Sequence, residues 1–125
     1  MIEDYSKTIY KWLSQFATTY EDEVPDNITP PNEYIVYNTM VSSFDESFIQ
    51  SISIYSKNTN YTNVKQIADN IEKEITEHGI ALRRDYGNVI IYKGSPFYQN
   101  KDETDENYKA GYINLEIKII QKNVN

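Results

Sequence analysis

The chain of 125 residues predicts an α+β fold. We expect one mostly antiparallel four-stranded sheet with two helices packed on one face, in the order α-β-β-α-β-β. Two segments repeat apolar residues at steps of three and four, as amphipathic helices do. Four others alternate apolar with polar residues or are rich in β-branched and aromatic ones, as strands are. The length and the absence of repeats predict a single domain over residues 1–125.

The first helix is predicted over residues 2–20 and the second over residues 63–78. The apolar stripe of the first consists of Ile2, Tyr5, Ile9, Trp12, Leu13, Phe16 and Tyr20. The stripe of the second consists of Val64, Ile67, Ala68, Ile71 and Ile75. Prolines at positions 25, 30 and 31 follow the first helix and prevent it from continuing.

The strands are predicted over residues 34–40, 48–56, 88–93 and 112–121. The first two, YIVYNTM and FIQSISIYS, should form an antiparallel hairpin because the connection between them is too short for a parallel crossover. Segment 80–84 is too short to assign. Between the last two strands lies GSPFYQNKDETDENYKAG, residues 94–111, which glycines bound on both sides. We predict that this acidic segment is a long loop.

The composition limits the possible functions. A net charge of −7 repels phosphate backbones, so tight binding to nucleic acid is not expected. The absence of cysteine excludes disulfides, thiolate zinc sites and thiol nucleophiles. No apolar run approaches the ~20 residues of a membrane span, and the first residues lack the apolar core of a signal peptide, so we expect a soluble intracellular protein. The 12 tyrosines favour contacts with other protein chains.

The middle of segment 94–111 offers four possible metal ligands: Asp102, Glu103, Asp105 and Glu106. A calcium loop of the EF-hand type needs glycine at its sixth position and glutamate at its twelfth. A frame that begins at Asp102 has Asn107 at the sixth position and no glutamate at the twelfth. The carboxylates are therefore predicted to form a solvated acidic surface, with no metal and no cofactor.

Glu116-Ile117-Lys118 has the pattern that metal-dependent nucleases of the PD-(D/E)xK type carry on one strand face. Such a site would need a further carboxylate, from Asp102 or Asp105. Any half-exposed strand with charges on its outer face gives the same triplet. Because the acidic chain also suits DNA binding poorly, we expect a protein without enzymatic activity and keep the nuclease as the less favoured alternative.

The remaining candidates have structural explanations. His78, the only histidine, precedes Gly79 at the predicted end of the second helix, where an imidazole suits the helix dipole. Arg83-Arg84 is the only arginine pair and is too small to form a nucleic-acid-binding patch. No glycine-rich phosphate-binding motif occurs in the sequence. No catalytic residue is predicted.

Aromatic residues stand at both ends of segment 94–111. Phe97 and Tyr98 follow a predicted strand and lie outside any periodic core stripe. They either tuck under the sheet as a satellite cluster or stand out as anchors for a partner, and the second is slightly favoured because further tyrosines lie at the other end. The predicted contact residues are Pro96, Phe97, Tyr98, Gln99, Tyr108 and Tyr112.

The order of these segments is a pattern of its own. An N-terminal helix leads through a proline-rich linker to YIVYNTM, and QSISIYSKN leads into the helix NVKQIADNIEKEI. GNVIIY, a segment that opens with SPFYQ, and a last strand after YKAGYINLEI follow. In this order the chain resembles, over nearly its whole length, the tail terminator (tail completion, or tail-to-head joining) proteins of tailed bacteriophages and prophages.

The resemblance implies a structural protein without catalytic residues, located in the neck of the virion tail. Such proteins assemble as a hexameric ring on the last ring of the tail tube, stop its growth and present a surface to the head connector. The implied partners are further copies of the chain, the tail tube protein and the connector protein, while DNA passes through the lumen without specific binding.

Segment 94–111 would then be an arm that contacts a neighbouring subunit or the tube. The acidic side chains Asp102, Glu103, Asp105 and Glu106, or those of residues 21–23, would line or rim the lumen. Another neck or head-completion protein is the alternative within the same class.

Overall fold

The computed structural model describes residues 2–44 and 46–122. Within them the chain forms two helices and six strands: α1 (Ile2–Leu13), β1 (Thr18–Glu21), β2 (Glu33–Tyr37), β3 (Phe48–Ser56), α2 (Thr62–Glu74), β4 (Ile80–Arg84), β5 (Gly87–Lys101) and β6 (Lys109–Gln121). The strands form one sheet in the order β1-β2-β3-β6-β5-β4. The sheet curls into a half-barrel.

The predicted fold class was wrong about the sheet, which has six strands rather than four and is mixed. β1 pairs in parallel with β2, and the other neighbouring strands pair antiparallel. The strands missing from the prediction are the two edge strands, β1 and β4, with only 4 and 5 residues. The coarser expectation of an α+β chain holds.

Helix α1 ends at Leu13, well before the end that the apolar periodicity predicts. The amides of Gln15 and Phe16 donate to carbonyls three residues earlier, which tightens the last turn and closes the helix. Phe16 still packs edge-to-face on Trp12, with ring centroids 5.3 Å apart. The helical spacing therefore continues beyond the helix, while the threonines that begin at Thr18 already belong to a strand.

The β2–β3 hairpin is antiparallel, as predicted, and β3 has the predicted bounds. β2 is shorter than predicted and ends at Tyr37. Helix α2 also ends early, at Glu74, because Ile75 takes an extended conformation with φ −96° and ψ 107°.

Segment 94–111 is mostly strand, so the prediction of a long loop was wrong. β5 continues through Lys101 and β6 begins at Lys109, which leaves only residues 102–108 as the connection. The pairing register shifts between Lys93 and Tyr98. Pro96 lies in this interval, and it has no backbone N–H to donate to the ladder. The glycine and proline that predicted a loop mark an irregularity inside a long hairpin.

Both helices pack on the same face of the sheet and form one core with it. The largest fully buried side chains are Tyr5, Ile9 and Leu13 from α1, Ile71 from α2, and Ile35, Tyr37, Ile52, Ile54, Ile91, Ile113, Leu115 and Ile117 from the strands. They alternate along β3 and β6 with side chains that point to the other face.

One amide, Gln50 on β3, lies within this apolar layer with 1% of its surface exposed. Its Oε1 accepts hydrogen bonds from the hydroxyl of Tyr5 at 3.0 Å and from the amide of Met40 at 3.2 Å. Its Nε2 donates to the carbonyl of Asn38 at 2.7 Å. Gln50 therefore ties the chain after β2 to both α1 and β3.

Candidate functional site

The two faces of the sheet differ in what covers them. We call the face under α1 and α2 the helix-covered face and the opposite one the helix-free face. On β2, β3 and β6, the side chains that alternate with the buried ones belong to the helix-free face. They are Tyr34, Val36, Ile49, Ser51, Ser53, Tyr55, Ala110, Tyr112, Asn114, Glu116, Lys118 and Ile120. Most are half-buried or exposed, so this face is a polar and aromatic surface.

A cavity of about 400 Å³ opens at one corner of the helix-free face. We call it the tyrosine pocket, and it is lined by Asp22, Glu23, Val24, Tyr34, Val36, Tyr55, Glu103, Asp105 and Tyr108. Three segments that are distant in sequence build it: the chain after β1, the β2–β3 hairpin and the connection 102–108. Asp22 turns the first of these with φ 70°, while its amide donates to the carbonyl of Tyr37 at 2.7 Å.

Tyr34 is at the centre of the aromatic wall of the pocket. It stacks on Tyr55, with centroids 4.9 Å apart and planes at 14°. The rings of Tyr20 and Tyr108 contact it edge-on at 6.0 Å and 6.3 Å. From β5, across the intervening strand β6, the amine of Lys101 lies 5.3 Å from the centroid of the Tyr55 ring and donates to its hydroxyl at 3.1 Å. A tyrosine of this wall therefore already contacts a cation within the chain.

The tyrosine pocket is negatively charged, because four carboxylates line it: Asp22, Glu23, Glu103 and Asp105. None of them forms a salt bridge with a lysine or arginine among residues 2–44 and 46–122. Burial raises the pKa of Tyr34 to about 12, with smaller contributions from Tyr108, Tyr55 and Glu103. The phenol stays neutral at physiological pH, so the carboxylates set the charge. An aromatic wall beside carboxylates suits a cationic group and repels phosphates and other anions.

The pocket brings together the two acidic segments that were predicted as alternatives for the lumen. Glu103 and Asp105 come from one segment, and Asp22 comes with its neighbour Glu23 from the other. The other two predicted acidic residues, Asp102 and Glu106, are exposed and do not line the pocket. Whether any of them faces a lumen stays a prediction.

Glu21, the first residue of the acidic segment 21–23, belongs instead to the helix-covered side. Its carboxylate accepts hydrogen bonds from the hydroxyls of Ser6, Tyr37 and Thr39, the last two at 3.2 Å. Because Ser6 lies on α1 and Tyr37 on β2, this network fixes the short strand β1 between them. Glu21 therefore has a structural role.

The predicted contact residues are divided between the subunit's own packing and its surface. Phe97 and Tyr98 are half-buried and pack against the edge of the core, next to α2. The Tyr98 ring also covers Gly111, where an added Cβ would lie 2.7 Å from the ring. These contacts match the satellite-cluster alternative, and a contact with a partner stays a prediction for both residues.

The other predicted contact residues lie on or beside the helix-free face. The hydroxyl of Tyr112 donates across the ladder to Oε1 of Gln99. The carbonyl of Pro96 accepts a hydrogen bond from the side chain of Asn114 at 2.9 Å. Tyr108 lines the tyrosine pocket. This part of the β5–β6 hairpin is therefore a firm element and not a hinged arm.

The residues of the nuclease alternative are not brought together. Glu116 and Lys118 lie on the helix-free face of β6, and Glu116 accepts a hydrogen bond from the hydroxyl of Ser47 at 3.1 Å. Asp102 and Asp105 follow the other end of the ladder, roughly 20 Å along β6 from Glu116. In the part of the chain that the structure describes, no group of three or more histidine, aspartate or glutamate side chains could hold a metal ion.

The sequence prediction missed Tyr34 and Tyr55 as site residues. The one signal that pointed to them was the abundance of tyrosine, which carries no information about which tyrosines meet.

Comparison with models of known protein families and with curated proteins finds no match to the chain. Among the described residues, no helix is long and apolar enough to cross a membrane. Function is therefore inferred from the residues and their geometry.

Proposed function

We propose that this chain is a structural assembly protein of the tail terminator kind. Copies of it form a ring on the end of a bacteriophage tail tube, end tube elongation and join the tail to the head connector, and DNA passes through the lumen. The order of sequence segments is one support for this proposal. The observation that carries it is the helix-free face, a sheet surface that neither of the two described helices covers.

The side chains of the helix-free face support a role in protein contacts. Ile49 and Ile120 on this face are 47% and 46% exposed. They share the face with tyrosines, short polar residues and the charged Glu116 and Lys118, a mixture that is common in interfaces which separate and re-form. Tyrosines together with apolar side chains of this kind are what protein interfaces bury at their centre.

The edges of the sheet are less suited to contacts. β1 has 4 residues, and β4 ends in the exposed Arg83 and Arg84. Short strands and exposed charges are the features that prevent strands of different molecules from pairing. Association through side chains of the helix-free face is therefore the better route to a ring.

The charge of the chain supports the passage of DNA. A net charge of −7 on each copy of a ring would repel the phosphate backbone and prevent the DNA from adhering. A neck or head-completion protein at another ring would share these properties and is the second candidate. The nuclease alternative loses support because its carboxylates lie far apart in the ladder.

Co-expression with the tail tube protein encoded in the same gene cluster tests the proposal. Electron microscopy should show rings on tube ends and tubes of bounded length. Tubes that elongate without limit while the protein stays unbound and monomeric would refute it. A ring that binds the connector and not the tube would favour the second candidate.

A matched pair of substitutions tests whether the helix-free face is the contact surface. Ile49→Lys should abolish ring formation, because it places a charge within the interface. Ile2→Lys, which alters an exposed isoleucine of α1, should leave it intact. Both variants should unfold at the same urea concentration as the parent, since both positions are exposed. Equal assembly of the two variants would exclude this face.

A magnesium- or manganese-dependent DNA cleavage assay tests the nuclease alternative. We expect no cleavage, by the parent chain or by Glu116→Ala. Metal-dependent cleavage by the parent that Glu116→Ala abolishes without unfolding the chain would replace the assembly function with an enzymatic one.

A further inference from the structure

Charges of opposite sign occupy opposite ends of the helix-free face. The acidic tyrosine pocket lies at the end of β6 that begins near Ala110. Arg83 lies at the other end, because it pairs with Asn88 and Asn88 pairs with Ile120. Lys118 adds a second positive charge near this end. Lys101 beside Tyr55 and Glu116 beside Lys118 reduce this difference without reversing it, so the face is polarised along its strands.

Arg83 projects from this face at the edge of the sheet. Leu82 packs against the core, so the side chain of Arg83 points to the helix-free face and that of Arg84 points back to the helix-covered side. Arg83 is exposed and forms no salt bridge with any described carboxylate. It is an unpaired cation on an edge strand, where a neighbouring molecule can reach it.

Arg83 cannot enter the tyrosine pocket of its own chain. The pairing register separates the two by roughly 33 Å along β6. Three strand spacings, about 14 Å, separate β4 from β3 across the sheet. No arginine side chain spans this distance, so any contact between the two features joins different molecules.

We propose that the tyrosine pocket of one copy of the chain receives Arg83 of a second copy. The inference rests on the proposed assembly function and names the contact through which copies associate. Its basis is the complementarity between an unpaired guanidinium and an acidic aromatic cavity on the same face of one molecule.

The chemistry of the pocket fits a guanidinium better than an ammonium. A guanidinium is planar, so it stacks against an aromatic ring such as Tyr34 or Tyr108 while its N–H groups point outward. The carboxylates of Glu103 and Asp105 at the rim accept bidentate hydrogen bonds from such a fork. Lys118 presents a compact, strongly hydrated charge and comes from the central strand β6, so it reaches a neighbour less easily.

The geometry of the contact determines how the copies are arranged. Each subunit offers a guanidinium at one corner of the sheet and a pocket at the diagonally opposite corner. A head-to-tail contact of this kind uses two different surfaces and leaves both free ends able to bind further copies, so it closes into rings when the rotation permits.

Charge reversal tests the contact in the tube-bound sample described above. Arg83→Glu should raise the protein concentration needed for half-maximal ring formation about ten-fold or more. Arg84→Glu changes the net charge equally, one residue away on the other side of the strand, and should leave that concentration unchanged. Equal effects of the two substitutions would mean that only net charge matters and would overturn the proposal.

Rescue in trans makes the test specific. Glu103→Arg alone should also weaken assembly, whereas a mixture of Arg83→Glu and Glu103→Arg subunits should assemble, because each pocket then meets an opposite charge on its neighbour. An even-numbered ring of alternating subunits satisfies every contact. Failure of the mixture, with both variants folded, would overturn the proposal.

Disulfide trapping gives a direct readout, since the chain contains no cysteine. Oxidation of the double variant Arg83→Cys/Glu103→Cys should give a ladder of covalent oligomers, and Arg84→Cys/Glu103→Cys should give far less. Cross-linked dimers without larger species would support the contact and contradict the ring.

Tube length, measured in the same samples, separates the two proposals. Bounded tubes without cross-links would refute the Arg83 contact alone. Unbounded tubes would refute the tail function, whether or not the copies are cross-linked.

Discussion

The helix-covered and helix-free faces of the sheet belong to the same strands but differ in the burial and polarity of their side chains. Leu115 and Ile117 on the covered face are fully buried, whereas Asn114, Glu116 and Lys118, which alternate with them, contact solvent. The covered face contributes stability through apolar burial. The free face contributes little stability, so its residues can be selected for contacts. Substitutions at neighbouring positions of one strand should therefore have very different effects.

The largest difference is expected on β6. Leu115→Ala should lower the free energy of unfolding by about 3–5 kcal/mol, because it removes apolar burial and leaves a cavity. Lys118→Ala on the same strand should change it by less than about 0.5 kcal/mol. Urea denaturation of both variants measures the contrast. If Leu115→Ala lowered the free energy of unfolding by less than Lys118→Ala does, the apolar layer under the helices would not determine stability.

A smaller contrast is expected between two consecutive residues of β3. Gln50→Leu keeps the volume but leaves the hydroxyl of Tyr5 and the amide of Met40 without an acceptor, so it should cost about 2–3 kcal/mol. Ser51→Ala, on the free face, removes only the hydrogen bond to Asn114 and should cost less than about 1 kcal/mol. If urea denaturation gave the same loss in the free energy of unfolding for both variants, the buried amide of Gln50 would have no special role in stability.

The smallest effect should appear in alkaline solution. Burial raises the pKa of Tyr34 above its ordinary value of 10.0, to about 12. The stabilisation that comes from the neutral phenol is therefore complete below pH 10 and is lost as the pH rises through about 12. Tyr34→Phe should make the melting temperature fall less steeply in this interval and remove one late step from the phenolate absorbance.

Tyr10→Phe, on the exposed side of α1, controls for the loss of a phenol. If both variants follow the parent curve, Tyr34 contributes nothing to alkaline unfolding, and the aromatic wall of the pocket is looser than its ring distances indicate.

The elements that the sequence predicted well are those with long, regular patterns. β3 and residues 112–121 of β6 were predicted because every second side chain along them is apolar, as burial of one sheet face requires. β1 was missed because 4 residues carry too little pattern, and because Phe16 continues the helical spacing of α1 through a turn. Its parallel partner β2 is separated from it by the proline-rich linker, and nothing local indicates that they pair.

The strands at 88–93 and 112–121 were predicted, but the extension of the β5–β6 hairpin into segment 94–111 was missed for a different reason. Gly94 and Pro96 are breakers in an isolated strand, but here they coincide with a shift of register that the long β6 accommodates. The aromatic residues after them have partners only in three dimensions, such as the Tyr98 ring on Gly111. Local propensity cannot show such a contact.

The candidate site was predicted in part. The acidity of residues 102–106 and the abundance of tyrosine were evident, but the pocket depends on Asp22 and Tyr34 meeting Tyr108 across most of the chain. Only the order of the strands brings them together. Arg83 appeared merely as half of a small arginine pair, because its face of the sheet depends on the packing of Leu82.

The long β5–β6 ladder also decides how a subunit would carry mechanical load. If neighbours attach at the two diagonal corners, tension around a ring runs mainly along the strands, with a smaller component across them. The hydrogen bonds of the ladder are then loaded in shear and resist together, whereas a pull across the sheet would open them one at a time. A ring built in this way would be stiff against expansion during the passage of DNA, and its weakest points would be the contacts between subunits.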